Sequence, residues 1–266
     1  MFNHTFAICA YKESEYLEEC ILSLKNQTVS SNILIVTSTP NDFIESLAQK
    51  YEIPYYINPG QGGITQDWNF GYKCAREKNK SKYITIAHQD DIYEPEYLET
   101  AMKAFKKTKR PLIFFTDYFE IRDGQRVEKN KLLTIKRIML LPLRISILQK
   151  SKWVRRRILS IGSPICCPSV TFAVNNLPKV IFKNGFRACE DWEAWEMISR
   201  RKGSFLYSTK LLTGHRIHEE SETSAIIHDN KRTDEEYEMF CKFWPGFIAK
   251  FIGKVYAKGQ NSNSLD

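Results

Sequence analysis

The first half of the chain alternates short, continuous apolar runs with amphipathic segments. The apolar runs "HTFAICAY", "NILIVTST" and "YITIAH" are short and rich in β-branched or aromatic residues, which favours strands. The segments between them, such as "ESEYLEECILSLKNQT", have apolar residues three or four positions apart, which favours helices with one buried face. This alternation predicts an α/β fold in which helices cover both faces of a mostly parallel sheet.

Local signals predict where the elements begin and end. Asn41 or Asp42 is expected to cap the second helix, and Pro95 is expected in the first turn of the fourth helix. The later half of the chain is less regular, and a helical tail is predicted from about Thr233. In that half we expect strands in "PLIFFTDYFEI", "PSVTFAV" and "SFLYST", a helix in "EDWEAWEMISRRKG" and a loop in "GHRIHEESETS".

Composition limits the class of protein. With 266 residues and 42% hydrophobic content, the chain can bury a large core. Its seven cysteines, an odd number without a CxxC spacing, argue against a disulfide framework and a cysteine zinc site, so we expect free thiols in a reducing cytosol. No uncharged apolar stretch reaches the roughly 20 residues of a membrane-spanning helix. A cytoplasmic location, free or on a membrane surface, is therefore expected.

Two adjacent carboxylates, Asp90 and Asp91, follow a predicted buried strand. Parallel sheets bind ligands at the carboxyl ends of their strands. A hard divalent cation bound through oxygen would remove the repulsion between the two charges and would also engage phosphate oxygens. The structural alternative is a polar strand exit in which Asp91 caps the next helix.

Several motifs occur in one order along the chain: "ICAYKESEYLEE", "NPGQGGITQDWNF", "HQDD", "CEDWEAWEMISRRKG" and "HRIHEESETS". Together they resemble the inverting family 2 glycosyltransferases with the Rossmann-like GT-A fold, of the kind that builds bacterial surface polysaccharides. The resemblance covers about residues 4 to 225. It implies a nucleotide-diphosphate sugar donor, most commonly a UDP-sugar, and Mg²⁺ or Mn²⁺ as the cofactor.

The resemblance assigns the donor side of the site. Tyr11 is expected to stack on the base of the nucleotide and Glu13 to accept hydrogen bonds from the ribose. "HQDD" occupies the place of the family's DxDD motif. Asp90 is accordingly the expected metal ligand, and Asp91 is expected to be a second ligand or a contact to the donor sugar.

The resemblance also assigns the acceptor side and the turn that follows the last strand. Asp191 is the expected catalytic base, with Glu190 as its helper. A hydroxyl is a poor nucleophile until a carboxylate takes its proton, and a helix N-terminus keeps an aspartate ionised. In "RIHEESETS", His218 is expected to complete the metal or diphosphate site and Arg216 to face phosphate.

Two positions depart from the family pattern, and one further residue is open. Ser38 stands where the family's second strand usually places a carboxylate that recognises the base, and Asp42 is a weaker substitute. His88 replaces the first aspartate of DxDD, and a lone histidine at a strand end is ordinarily a hydrogen-bonded structural residue. Asp67 is a candidate contact to the donor sugar or ribose, with a helix cap as the alternative.

The formal net charge of +8 comes from one segment. Residues 131–160, the acid-free segment, carry nine Lys and Arg and neither Asp nor Glu. Residues 241–258 repeat this basic, apolar composition, so both segments are expected to bind an anionic membrane surface. Helices packed on the core, with their lysines reaching solvent, are the alternative. No recognition motif accompanies the charge, so no nucleic-acid partner is expected.

The expected layout is a glycosyltransferase domain over residues 1–225, with 131–160 inserted, and a helical tail over residues 226–266. The expected activity is metal-dependent sugar transfer to a glycan or lipid-linked oligosaccharide at the inner face of the cell membrane. One alternative is a non-catalytic, membrane-attached sugar-binding module. A nucleotidyltransferase on a similar fold is another, but it would need a basic glycine-rich loop where this chain has "AYKESEYLEE".

Overall fold

The computed structural model describes residues 3–218 and 231–261. Within these ranges the strands are β1 (His4–Cys9), β2 (Asn32–Thr37), β3 (Tyr55–Ile57), β4 (Tyr83–His88), β5 (Ile92–Tyr93), β6 (Pro111–Arg122), β7 (Gln125–Val127), β8 (Val170–Ala173) and β9 (Ser204–Ile217). The helices are α1 (Leu17–Lys25), α2 (Asp42–Lys50), α3 (Ile64–Glu77), α4 (Tyr97–Lys106), α5 (Lys131–Leu140), α6 (Lys152–Leu159), α7 (Glu190–Ser199), α8 (Lys231–Cys241) and α9 (Gly246–Asn261).

The strands form one sheet in the order β3-β2-β1-β4-β8-β6-β9-β5, with β7 paired to β6. Strands β1 to β4 are parallel, β8 is antiparallel to both of its neighbours, and β6 and β9 are parallel to each other. Because β8 reverses direction between β4 and β6, strands β6 and β9 run the same way as β1 and β4. The predicted mostly parallel sheet is confirmed, and the carboxyl ends of these strands meet at one edge.

The sheet is buried on both faces, which explains the continuous apolar runs. Phe6 and Ile8 of β1 belong to the apolar cluster formed with α1, α2 and α4. Ala7, which lies between them in sequence, belongs to the cluster formed with α3 and α7 on the opposite face. Since successive strand residues point to opposite faces, Phe6, Ala7 and Ile8 each need an apolar or small side chain.

The two cap predictions have different outcomes. Asn41 caps α2, because its side-chain oxygen accepts a hydrogen bond from the amide of Ile44 at 2.9 Å. The prediction for Pro95 is wrong, because α4 begins only at Tyr97. The carbonyl of Pro95 accepts a hydrogen bond from the amide of Thr28 at 2.9 Å, so Pro95 lies in the connection before the helix.

Strand β9 is longer than the sequence predicts. The expected loop after "SFLYST" is wrong up to Ile217, because β9 stays paired with β6 along this length. Gly214 permits the close packing, since a β-carbon there would lie 2.6 Å from the ring of Phe119 and 2.7 Å from Ile92. The rest of the predicted loop, from residue 219 onward, lies outside the described residues.

The acid-free segment folds into α5 and α6, and part of it is turned inward. Arg155 is 1% exposed, and its guanidinium donates hydrogen bonds to three backbone carbonyls. Arg137 pairs with Asp117 at 2.7 Å, and Arg156 pairs with Glu196 at 2.6 Å. For these three cations the protein-packed alternative applies, and binding of the segment to a membrane stays a prediction.

Helices α8 and α9 pack on the same core as α3 and α7. Met239, Phe240 and Ala249 are fully buried within it. Glu235 of α8 accepts hydrogen bonds from the backbone amides of residues 187–189, which lead into α7. The predicted boundary between residues 225 and 226 lies outside the described residues, so a separate tail remains a prediction. No helix among the described residues is both long and apolar enough to cross a membrane.

Candidate active site

The predicted site residues gather at the carboxyl edge of the sheet. Strand β1 pairs with both β2 and β4, so the residues that follow these three strands lie side by side. Strand β9 ends at the same edge and brings the residues around Arg216 to the end of β4. The sheet therefore brings Arg216 and His218 next to Asp90 and Asp91, although these residues are more than a hundred positions apart in sequence.

Asp91 is the structural member of the pair after β4. It is fully buried, and its Oδ1 accepts a hydrogen bond from the amide of Arg216 at 2.9 Å. The same oxygen lies 3.0 Å from Nδ1 of His215, whose pKa is lowered by burial but raised overall by the Asp91 charge. Asp91 thereby fastens β9 to the end of β4, and the helix-cap alternative for Asp91 is wrong.

Asp90 is the more accessible member, with about a fifth of its side chain exposed. Its Oδ2 lies 3.0 Å from Nε2 of His218, in agreement with the sequence prediction that these two residues meet. Burial raises the pKa of Asp90, but the hydrogen bond with His218 and nearby histidine charges lower it overall. Asp90 is therefore ionised in the neutral pH range and available as an oxygen ligand.

His88 faces both aspartates. Its ring stacks on Trp68 with centroids 4.9 Å apart and planes 9° apart. Nδ1 of His88 lies 3.5 Å from Oδ2 of Asp91, and burial lowers the pKa of His88 more than the two aspartates raise it. Since a neutral imidazole can ligate a metal, this histidine is compatible with a cation site despite its departure from the family motif.

Arg216 is held by the protein on three sides. Its Nε donates a hydrogen bond to the carbonyl of Asp90 at 2.9 Å, and its Nη2 pairs with Glu19. The guanidinium carbon also lies 4.3 Å from the centroid of the Tyr16 ring. These contacts favour a role in shaping the turn around Asp90 over direct contact with phosphate.

Tyr11 and Glu13 lie beyond the end of β1 and are exposed. Gln89 fixes this turn, because its side chain accepts a hydrogen bond from the amide of Tyr11 at 2.8 Å and donates one to the carbonyl of Tyr11 at 2.9 Å. Lys12 adopts a positive φ of 53°, which makes the turn sharp. The Tyr11 ring, half exposed, is thereby left free to contact a ligand.

Ser38 is oriented by Asp67. The Ser38 hydroxyl donates a hydrogen bond to Oδ2 of Asp67 at 2.6 Å, and Asn58 donates one to Oδ1 at 2.7 Å. Asp67 is 5% exposed, and Gly63 is the N-cap of α3, so the cap alternative for Asp67 is wrong. Because the Ser38 hydroxyl already donates its hydrogen bond to Asp67, its oxygen can only accept a hydrogen bond from a ligand. Asp42 is exposed at the start of α2.

Asp191 and Glu190 form the first turn of α7, as predicted. Asp191 is half-buried, and burial raises the pKa of its carboxyl group, whereas a hydrogen bond from the Trp192 amide and the charge of Lys136 lower it. Glu190 is only 5% exposed. The pair thus resembles Asp90 and Asp91 in having one accessible carboxylate and one buried carboxylate.

One member of each acid pair acts on the same two thiols, those of Cys166 and Cys167. Burial raises the pKa of the Cys166 thiol, the Lys136 charge opposes that shift, and the charges of Asp91 and Asp191 both add to it. The same two aspartates act on the thiol of Cys167. Asp91 and Asp191 therefore both act electrostatically on this part of the core.

Residues 5–161 match the family model described as Glycosyl transferase family 2, which is more than half of the chain. The chain belongs to glycosyl transferase family 2. The matched residues contain the end of β4 with Asp90 and Asp91, but they stop before α7 and Asp191. A further stretch of similarity, 27% identity over 104 residues, connects this family 2 member to EpsH of Bacillus subtilis (strain 168), itself a candidate glycosyltransferase. That stretch covers 36% of this chain and only 28% of EpsH.

The fold of this family 2 chain is that of solved GT-A glycosyltransferases. Residues 1–349 of S. aureus TarS, in complex with UDP-GlcNAc, superpose with a TM-score of 0.65 at 14% identity, covering 99% of this chain and 74% of that chain. The mannosyltransferase PcManGT from Pyrobaculum calidifontis, in complex with GDP-Man and Mn²⁺, gives a TM-score of 0.60 at 12% identity, covering 98% and 74%. At these identities the likeness establishes the fold.

Several residues of the family 2 site were not predicted from the sequence. His215 holds Asp91, Asn58 holds Asp67, and Gln89 holds the backbone of Tyr11. All three lie within quoted motifs, Asn58 in "NPGQGGITQDWNF", Gln89 in "HQDD" and His215 in "HRIHEESETS", but the motifs gave them no role. Their partners lie in distant segments of the chain, so only the three-dimensional arrangement identifies them.

Proposed function

We propose that this protein is an inverting, metal-dependent glycosyltransferase that moves a sugar from a nucleotide-diphosphate sugar to a hydroxyl of a glycan acceptor. Family membership supports the reaction class. The observation that carries the proposal is the contact of Asp90 with His218 at the sheet edge. Asp191, in the first turn of α7, is proposed to lie on the acceptor side of the same site. One carboxylate is thus available for a cation and another for a proton.

The residues present fit a hard divalent cation. Ligand atoms of His88, Asp90 and Asp91 all lie within 4.8 Å of one another, and His218 contacts Asp90. Within the described residues, Nε2 of His88 and Oδ2 of Asp91 are buried without a hydrogen-bond partner, a costly arrangement that a cation would relieve. Carboxylate and imidazole ligands suit Mg²⁺ and Mn²⁺. Such a cation supplies positive charge to the departing diphosphate.

Asp191 is the base of the proposed reaction. Its carboxylate takes the proton of the acceptor hydroxyl as the new bond from that oxygen to the anomeric carbon forms. The bond from the anomeric carbon to the diphosphate oxygen breaks in the same displacement, so the configuration of the sugar inverts. Glu190, buried beside it, is proposed as the helper of Asp191 for the acceptor.

The donor is proposed to lie along the ends of β1, β2 and β4. Tyr11 offers an exposed ring for the base, and Glu13 is proposed to accept hydrogen bonds from the ribose. The Ser38 oxygen, kept as an acceptor by Asp67, suits a base with an N–H donor such as uracil. Because guanine also has an N–H donor, this contact alone does not select the base, and a UDP-sugar is proposed as the donor on the family resemblance. That TarS and PcManGT were solved with UDP-GlcNAc and with GDP-Man supports a nucleotide-sugar donor.

The acceptor is proposed to be lipid-linked, with the protein at the inner face of the cell membrane in surface-polysaccharide synthesis. Helix α9 supports this, because Phe247, Phe251 and Val255 are 78%, 69% and 58% exposed along one side, beside exposed Lys250 and Lys254. The acid-free segment adds further exposed apolar residues, namely Ile138, Ile145, Ile147 and Trp153. Apolar side chains flanked by cations are typical of helices lying on anionic lipid.

The direct test is a screen of purified protein with nucleotide sugars, with and without Mn²⁺. We expect calorimetric binding of one donor class that depends on the cation, and slow release of UDP in the presence of donor. NMR of the product formed with a cognate acceptor should show inversion at the anomeric carbon. Absence of binding to every nucleotide sugar, or retention of configuration, would contradict the proposal.

A further inference from the structure

Lys136 differs from the other inward-facing cations of the acid-free segment. Arg137 and Arg156 each pair with a carboxylate. Lys136 is half-buried in α5, and the one hydrogen bond that its ammonium donates within the described residues goes to the phenol oxygen of Tyr118, at 2.9 Å. This cation therefore has no anionic partner among the described residues.

Tyr118 does not neutralise the charge. Burial raises the pKa of Tyr118 to about 12, so the phenol stays protonated at neutral pH. An ammonium carries three donors, and the phenol takes one of them. Burial lowers the pKa of Lys136, but the neighbouring Tyr118 and Cys166 raise it overall, so the ammonium is charged at neutral pH. A partly buried ammonium without a carboxylate partner is a candidate for meeting an anionic ligand.

On one side, Lys136 adjoins the end of β4. The Tyr118 ring packs edge-on against the ring of His215, with centroids 6.2 Å apart. His215 in turn lies 3.0 Å from Asp91. The ammonium is thus one aromatic ring and one imidazole away from the proposed cation site.

On the other side, Lys136 adjoins the start of α7. Met139, one turn along α5, and Tyr256 of α9 both lie against Gly162. A β-carbon added at Gly162 would lie 3.3 Å from Met139 and 2.6 Å from Tyr256. The Tyr256 ring lies 6.0 Å from the ring of Trp192, the residue after Asp191. In agreement, the charge of Lys136 opposes the burial that raises the pKa of Asp191, although no ion pair joins these two residues.

We infer that Lys136 is a substrate-binding cation that contacts a phosphate oxygen between the Asp90–Asp91 pair and Asp191. This inference rests on the proposed function, because sugar transfer from a nucleotide diphosphate brings phosphate to this region. Lysine binds phosphate as a compact point charge with rotatable donors. The phosphate belongs either to the donor diphosphate or to a phosphorylated acceptor.

Calorimetry and kinetics on Lys136→Met, Lys136→Gln and Lys136→Arg test the inference, with Lys129→Met as the matched control on an exposed lysine just before α5. UDP with Mn²⁺ probes the donor source. Inorganic phosphate, added as an inhibitor at saturating donor, probes the acceptor source. We expect the Met and Gln variants to weaken either UDP binding or inhibition by phosphate by about 10- to 100-fold, which corresponds to the loss of one charged hydrogen bond. Arg should restore most of the affinity, and the control should match the wild type.

The outcomes separate the two claims. Weaker UDP binding assigns the phosphate to the donor, and weaker inhibition by phosphate assigns it to the acceptor. If the Met and Gln variants bind both within twofold of the wild type, the inference is overturned, even where the melting temperature falls. If the wild type itself transfers no sugar and binds no nucleotide, the proposed function fails first.

Discussion

The protein has two pairs of adjacent carboxylates, Asp90–Asp91 after β4 and Glu190–Asp191 at the start of α7. In sequence the two members of each pair are equivalent, but in the structure they differ in burial. In each pair one member is buried, with Asp91 at 0% and Glu190 at 5% exposure. The other member, Asp90 or Asp191, is partly exposed. The first pair adjoins histidines, whereas Asp191 of the second accepts a hydrogen bond from the Trp192 amide and is influenced by the charges of Lys136 and Arg232.

The difference in neighbours separates the chemistry of the two pairs. Histidines and a second carboxylate beside Asp90 form a ligand set for a cation. Asp191 lacks such a set among the described residues, and burial raises its pKa, which suits a group that must accept a proton and hold it. Adjacent acids therefore need not act as a unit, because the elements packed against each one decide its role.

Neutralising Asp191 should have the largest effect. We expect Asp191→Asn to lower kcat by about 10²- to 10⁴-fold, the usual contribution of a general base, while donor binding stays unchanged. Steady-state kinetics and calorimetry measure the two quantities separately. The exposed Glu77→Gln is the control for loss of one carboxylate. Unchanged turnover in Asp191→Asn would favour the non-catalytic sugar-binding module.

Neutralising Asp90 should act through cation and donor together. We expect Asp90→Asn to weaken Mn²⁺-dependent binding of UDP by about 10- to 100-fold, because an amide oxygen is a poorer ligand than a carboxylate. Binding measured without the cation should change little. If the variant binds UDP and Mn²⁺ as the wild type does, Asp90 is not the metal ligand. The two acid pairs would then not differ in the way proposed, with one binding the cation and the other accepting the proton.

Removing Asp91 should affect folding more than chemistry. Asp91→Ala leaves the Arg216 amide and the His215 ring without their buried acceptor, so we expect the free energy of unfolding to fall by about 3 kcal/mol. Urea unfolding followed by circular dichroism measures this change, with Glu77→Ala as the exposed control. A loss below about 0.5 kcal/mol, the range of ordinary surface changes, would contradict the structural role.

The pH dependence should report Asp191. Its proton-accepting form is the carboxylate, and burial raises its pKa, so activity should be present above that pKa and be lost as the pH falls through it. The acid limb of kcat/KM should therefore lie above the value of about 3.9 for an exposed aspartate. A limb at or below that value, measured where the fold is intact, would exclude Asp191 as the base.

The smallest effect is expected at α9. Replacing Phe247, Phe251 and Val255 by Ser should weaken binding to anionic phospholipid vesicles by about tenfold or more, because their exposed apolar area is lost. Turnover of a soluble acceptor should stay unchanged. Leu22, Ile57 and Val180, which are 48%, 52% and 56% exposed elsewhere, replaced together by Ser, form the matched control. Equal vesicle binding by both triple variants would refute the membrane surface.

Much of the fold could be predicted because its signals are local. The apolar runs of β1, β2 and β4 and the spacing in α1 appear within a few residues, and Asn41 caps α2 by a contact three residues away. The end of β9 could not be predicted in this way. "GHRI" lacks an apolar run, and it is a strand only because β6 pairs with it across the sheet.

The candidate site was predictable only in part. The motifs place Asp90 at the end of a strand and Asp191 at the start of a helix, and the structure has both there and brings His218 to Asp90. Their roles stay predictions. The partners of these residues could not be predicted, because hydrogen-bonding side chains such as His215 and Asp91 are 124 positions apart. For the same reason, the sequence does not reveal that Lys136 and Arg137 turn inward while the neighbouring Ile135 and Ile138 are exposed.

The sequence by itself determined the order of strands and helices, the edge where the carboxylates collect, and the family, because periodicity and motif order are properties of the chain. Only the tertiary structure decided which carboxylate of each pair is buried, that Arg216 is held by Glu19 and Tyr16, and which cations of the acid-free segment face protein. The sequence could not decide these points, because the free energy of a charged group depends on its burial and on hydrogen-bonding and charged partners from distant elements.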